Sequence, residues 1–283
     1  MTAHRHLLLA AALACNSIAA SAEEAAPAQR ELLQPPRYTI PGPITDRLAV
    51  RGIVRTQDIS TRVRYDDDAG VPGTLLAVED QLGVPDALDQ GTADLMFRMR
   101  DRHRIRVDYQ QQVRNGDTVT AIPIRFGDAT YLASERVLTH LDLRRFGMTY
   151  TYSLVRNEKF ELGAGIGIHL LQAQGELEAP ARFVREQEDV AGAFPTLATD
   201  MTWQFARRLS LNGVVQFLGG NVNDVSAGYL AWNADVQFRA FRNLAVGAGW
   251  AMTRYRIDSS NEDASGYFRL KYQGPQFFLR VSY

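Results

Sequence analysis

Three histidines lie beyond the N-terminal apolar run, and each is a residue type that can move protons: His103, His140 and His169. His140 stands two residues from Asp142, so in an extended chain both project from one face. An imidazole beside a carboxylate is the smallest general acid–base unit. His169 continues the spacing of Gly163, Gly165 and Gly167. No nucleophile is placed beside either ring by spacing, and no acyl-transfer motif surrounds them. They read as ordinary strand or loop histidines, and no catalytic residue is assigned. A run of acids, Asp66, Asp67, Asp68, Glu79, Asp80, Asp86 and Asp89, offers oxygen ligands for Ca²⁺, but it lacks the regular ligand positions of an EF-hand. It reads as a solvated loop. The single Cys15 excludes a multi-cysteine metal centre. Gly219-Gly220 has no strand–loop–helix context for a phosphate loop. No metal and no cofactor is expected.

A larger set of charges recurs at every second position. Arg98, Arg104, Arg106, Asp108, Glu161, His169, Asp200, Asp235 and Arg239 fall on the polar side of alternating segments, and the same reading puts Arg100, Asp142 and Arg144 with them. Tyr229 to Ala240 shows the pattern: Leu230, Trp232, Ala234, Val236 and Phe238 alternate with Asn233, Asp235, Gln237 and Arg239. Period two is the signature of strands with one apolar and one polar face. Several segments run well past the ~5–6 residues usual in globular strands. Small residues such as Gly163, Gly165, Gly247 and Gly249 fill the polar side, as the crowded inside of a narrow barrel requires. Tight turns at Asp101-Arg102, Asn157-Glu158, Arg207-Arg208 and Arg242-Asn243 alternate with long polar loops, an asymmetry of transmembrane barrels. The expected fold is therefore all-β: a closed antiparallel transmembrane β-barrel of about ten strands, within a range of eight to twelve. The strands are expected to start near Leu48, Gly91, His103, Arg136, Lys159, Gly192, Leu209, Tyr229, Leu244 and Ser265. In the last one the apolar face switches at Gly274-Pro275, which reads as a β-bulge.

The chain around this unit divides simply. Arg5, the apolar stretch Leu7 to Ala14 and the small residues Ala20-Ser21-Ala22 form a signal peptide over 1–22, with the mature start at Glu23. A lipoprotein box at Leu13-Ala14-Cys15 is the weaker processing alternative. Residues 23–46 contain five prolines and little apolar surface, and are expected to be a flexible periplasmic extension. The barrel takes 47–283. With 31 Lys+Arg against 32 Asp+Glu, the net charge of −1 gives no basic field, and nucleic acid is not an expected partner.

The chain ends on an aromatic, Tyr283, preceded at spacing two by Val281, Leu279 and Phe277. With the signal peptide and the hairpin pattern, this resembles the small OmpA-type outer-membrane β-barrel proteins of Gram-negative bacteria. The resemblance spans about Leu48 to Tyr283 and departs from the eight-stranded pattern by its length. It implies residence in the bacterial outer membrane, contact with outer-membrane lipid and lipopolysaccharide, and recognition of the Phe277–Tyr283 strand by the barrel-assembly machinery. Three functions remain open. They are a structural or interaction barrel with a side-chain-filled lumen, a narrow porin-like channel for small solutes, and a lipid-modifying or proteolytic enzyme.

Overall fold

The computed structural model describes residues 42–66, 71–126, 128–222, 224–261 and 264–283. The expected signal peptide and the proline-rich stretch up to 41 lie outside the described residues. Ten long strands close into one antiparallel barrel. They are β1 (Leu48–Tyr65), β3 (Ala87–Arg100), β4 (His103–Val119), β7 (Arg136–Arg156), β8 (Phe160–Ala179), β9 (Val184–Trp203), β10 (Leu209–Val222), β11 (Val225–Arg239), β12 (Leu244–Asn261) and β13 (Ala264–Ser282). Each pairs with its neighbour along the chain. The ring is sealed by β1 against β13, in register from Ala49↔Ser282 to Tyr65↔Gly266. The Tyr283 carbonyl accepts from the backbone N–H groups of Arg47 and Leu48, tying the two ends together. Closure leaves no open edge, which is what a hydrocarbon environment demands of a sheet. Among the described residues no helix is long and apolar enough to cross a membrane.

The outer surface near the short turns is apolar. Val50 and Val54 on β1, Leu95 and Phe97 on β3, Ile166 and Ile168 on β8, Val236 and Phe238 on β11 and Val246 and Trp250 on β12 all point outward and are exposed. Inward neighbours on the same strands are polar and buried: Arg55, Asp94, Arg98, Asp235 and Gln237. Tyr150, Tyr152, Trp203, Phe205 and Phe217 are outward and exposed in this belt, and Trp232 is half-buried there.

Toward the long loops the two faces exchange character. On β13 the outward residues become Gln273, Lys271 and Arg269, while Tyr272 and Leu270 are buried inside. The expected bulge at Gly274-Pro275 is absent. Pairing with β12 runs without a slip from Leu244↔Val281 to Asn261↔Ala264. The strand keeps its faces; the solvent outside it changes. Above the apolar belt the exterior meets water, so the apolar residues turn inside. The same exchange corrects the reading of β7. Leu143 and Arg145 point inward, and Asp142 and Arg144 pair with each other on the outside at 2.6 Å. Arg100 is exposed at the β3–β4 turn, beyond a register shift between Arg98 and Arg100.

The first long loops are not simply polar. β2 (Leu76–Ala77), helix α1 (Val78–Leu82) and the hairpin β5 (Ile124–Phe126) and β6 (Ala129–Tyr131) bury Leu76, Val78, Leu82, Val84, Ile124, Phe126 and Tyr131 together. This cap also covers Val137 and Leu177 at the strand ends. The helix ends at Gly83, whose φ of 61° is the left-handed geometry glycine tolerates.

Candidate functional site

The lumen is the place where charged side chains converge. At its base, the barrel mouth is closed by Gly42 to Asp46, the end of the stretch expected to be an extension. Ile44 is fully buried, and the Asp46 carboxylate accepts from Arg239 at 2.6 Å and from Arg280 at 3.0 Å. Beside it, Arg98 forms a two-pronged pair with Glu161 at 2.7 and 2.9 Å. Ser153 donates to the same carboxylate at 2.5 Å. Arg104 and Arg156 approach it at 3.6 and 3.8 Å. Arg104 also donates to Asp200 at 2.8 Å. Gly163 faces this pair. A Cβ there would collide with the Asp200 carboxylate and the Arg104 guanidinium, so the small residue makes room for the charges.

One layer higher, Arg51 bridges Asp94 at 2.5 Å and Asp235 at 3.2 Å, while Asn212 donates to Asp235 at 2.8 Å. Two small voids, about 40 and 60 Å³, lie along this level. Each holds a few waters at most. Arg55, Arg106 and Arg145 line the larger one. Arg145 is neutralised by Asp108 at 2.6 Å, Arg106 reaches Asp200 only at 3.9 Å, and Arg55 donates to the amide oxygen of Gln276 at 3.1 Å.

Above the ions comes a neutral plug. Gln110 and Gln112 both donate to Gln90, and Gln112 also donates to Gln57, at 3.0 to 3.1 Å. Tyr229, Tyr255, Tyr272, Phe194 and His169 pack against one another across the bore with centroid separations of 5.0 to 6.4 Å. Ile59, Leu171 and Leu270 complete the layer. Arg114 then joins the cap to the wall, donating to Glu79 at 2.7 Å and to Thr61 at 2.8 Å.

At the rim the electrostatics are set by hydrogen bonds. Burial alone would raise the Asp66 carboxyl. Donation from Ser265 at 2.7 Å and from the Gly73 N–H at 2.9 Å, with the charge of Arg64, holds it below the usual carboxylate range. Burial, reinforced by the charge of Glu186, pushes the Tyr131 phenol well above its ordinary value, so it stays a neutral donor to the Leu177 carbonyl at 2.7 Å.

The structure therefore places Arg98, Arg104, Arg106, Asp108, Glu161, His169, Asp200, Asp235 and Arg239 on inward positions, and all but His169 take part in ion pairs stacked along the bore in four separate groups, centred on Glu161 and Asp200, on Asp46, on Arg51 and on Asp108. Sequence reasoning missed Asp46, Arg51, Asp94, Arg145 and Arg280. Arg51 and Asp94 sit at spacing two from buried neighbours and carry a usable signal; Asp46 precedes its strand and carries none. The histidines do not assemble with acids. His169 is buried among aromatics, with neither ring nitrogen hydrogen-bonded among the described residues. His140 meets Asn115 at 2.6 Å on the outer face, and His103 meets the Tyr150 hydroxyl at 2.7 Å. The acidic run is dispersed: Glu79 to Arg114, Asp66 to Arg64, Asp89 to Thr56, with Asp67 and Asp68 outside the described residues. Among the described residues no three metal-ligating side chains converge. Phe277, Leu279, Val281 and Tyr283 form one exposed outward row at the barrel's end.

No protein-family model matches the chain, and no curated protein matches it. Among solved structures, the outer membrane protease OmpT from Escherichia coli superposes with a TM-score of 0.52 at 10% identity, covering 83% of this chain and 96% of that one. The chain has the fold of an outer-membrane β-barrel. Ail of Yersinia pestis and a Pseudomonas aeruginosa FadL homologue also match, each with a TM-score of 0.34, at 10% and 12% identity. They cover 81% and 87% of this chain, and 98% and 93% of their own. OmpA-type membership finds no match of its own among these structures.

Proposed function

We propose that this chain is a bacterial outer-membrane protein, exported by a cleaved signal peptide over 1–22, that works as a structural or interaction barrel and not as a conduit. The outward Phe277, Leu279, Val281 and Tyr283 serve in this reading as the strand offered to the assembly machinery. The observation that carries the proposal is the succession of seals along one bore: the ion-pair ladder, the glutamine and tyrosine plug, and the apolar cap. A solute would have to break buried ion pairs and part a cluster of five packed rings to pass. Breaking even one buried pair costs roughly 3–5 kcal/mol. The test is single-channel recording of the refolded protein in planar bilayers. Silence at low and high salt is expected. Steady conductance steps would overturn this reading and favour a narrow pore.

A second reading, a narrow anion path, has one observation in its favour: Arg55 and Arg106 face the larger void without a close carboxylate. It predicts that any conductance selects anions and falls in Arg55→Gln.

A further inference from the structure

On the outside of the barrel, just above the apolar belt, one wall is cationic. The registers bring Arg62, Arg269 and Arg256 into a single row across β1, β13 and β12. The next row toward the belt holds Lys271 beside Arg254, with Ser60 as the third member. All five cations occupy outward positions, and none of them takes part in an ion pair among the described residues. The Nε of Arg269 is buried without a partner among the described residues. Among the described residues the acids of this wall are displaced from the rows. Asp58 lies beside Gln273, one row nearer the belt, and Asp258 lies beside Tyr267, one row further out. Arg64, beyond the cationic rows, is already engaged by Asp66. Like charges placed directly opposite on neighbouring strands repel and destabilise the sheet. Three in one row therefore call for an external anion.

The geometry says which anion. Strands lie ~4.8 Å apart, so Arg62 and Arg256 stand about 10 Å from each other, and the two rows are separated by ~6.6 Å. That is too wide for one phosphate and suits two. Directly below, the same strands carry an apolar hollow of about 700 Å³ lined by Gly52, Val54, Val246, Ala248, Phe277 and Leu279. Nothing lies within 4 Å of where a Cβ on Gly52 would stand, so the hollow is open toward the outside. Phe277 is six residues from Lys271, ~20 Å along the strand, a span an acyl chain can cover from a head group held at the cations.

We propose that this wall binds a bisphosphorylated, multiply acylated glycolipid, with phosphates on the Arg62–Arg269–Arg256 and Lys271–Arg254 rows and an acyl chain in the hollow beneath. The proposal rests on the reading of the apolar belt as membrane-spanning. It assigns that reading's lipid partner a site.

The experiment refolds the full chain into phosphatidylcholine vesicles and titrates three probes: bisphosphorylated lipid A, its dephosphorylated form, and phosphatidylglycerol. Binding is read by the shift of the heat-modifiable gel band and by retention in native mass spectrometry. Lipid A is expected to bind and stabilise, and the dephosphorylated form to bind weakly. The triple variant R256Q/R269Q/K271Q removes repelling charges and is expected to fold, yet to bind lipid A at least about tenfold more weakly, since even one charged hydrogen bond lost is worth about a decade. Gly52→Leu places a side chain in the hollow and should also weaken binding, whereas Arg136→Gln, well away from this wall, should not. Equal binding of phosphatidylglycerol, or lipid A affinity unchanged in the triple variant, overturns the site. Failure of the wild-type chain to insert in any vesicle overturns the membrane reading instead.

Discussion

Removing the Glu161 carboxylate isolates the densest charge cluster in the lumen. In the wild type it receives both nitrogens of Arg98 and the Ser153 hydroxyl, and faces Arg104 and Arg156 within 4 Å. Its relative exposure is 1%, and that of Arg98 is 4%. Glu161→Ala leaves Arg98 with the Asp46 and Asp101 carbonyls as its acceptors, and Arg156 without its buried carboxylate. Breaking a buried pair by deleting one partner costs about 3–5 kcal/mol, because the remaining charge is stranded. Arg104 keeps Asp200 and limits the damage. The expected loss is therefore about 3–4 kcal/mol. Arg98→Leu combined with Glu161→Leu removes the stranded cation and should recover part of it, with a coupling energy of about 1–3 kcal/mol. The assay is urea unfolding in lipid vesicles, followed by tryptophan fluorescence and gel mobility. A loss below about 0.5 kcal/mol in Glu161→Ala would mean that water already solvates these groups. The lumen would then be wet and the argument for a sealed bore would fail.

Val236 points outward in the belt beside Asp235, which points inward. Val236→Arg should cost roughly 2–4 kcal/mol in a bilayer refolding assay, and Asp235→Asn, which keeps one acceptor oxygen for Asn212 and leaves Arg51 its pair with Asp94, should cost less; equal defects would refute the assigned faces. The Asp66 clamp carries a pH signature. Its carboxyl is depressed in the folded chain, so its stabilisation is complete above the unfolded value near ~3.9 and disappears as pH falls through the lower folded value. The protection of the Gly73 amide against hydrogen exchange, taken relative to its intrinsic rate at each pH, should fall only in that acidic window, and a loss of protection near pH 6 would contradict the assignment. Tyr131→Phe removes the donor to the Leu177 carbonyl and should cost about 1–3 kcal/mol, read as earlier thermal release of the cap to protease. Wild-type protection in this variant would show that the bond contributes nothing.

The belt half of each strand is legible in the sequence because one solvent, hydrocarbon, enforces one rule over several residues. Val236 beside Asp235 and Ile166 beside Gly165 obey it, and ten strands could be counted that way. The rule fails where the environment changes along a strand. Tyr272, Leu270 and Leu143 are apolar and inside, so a reading that equates apolar with outward inserted a bulge into β13 and turned Asp142 and Arg144 to the lumen. The cap was invisible for a different reason. Leu76, Val78 and Leu82 are too few to show a period, and their core forms only when Ile124 and Tyr131 arrive from another loop. The ladder was partly legible, since parity identifies Arg98 or Asp200 but not which acid meets which base. The pairing of Asp46 with Arg239 joins residues 193 apart in the chain.

The exchange of faces on β13 has a consequence for height. Ala264 to Gln273 is ten residues beyond the belt, and at ~3.3 Å per residue with a tilt near 40° this raises the rim about 25 Å above the hydrocarbon. The upper half of the protein is thus a stiff pedestal with a greasy axis and a wet skin. A visitor from the surrounding medium meets the rigid apex long before it meets the lipid, and that apex holds its outline because its own interior is solid.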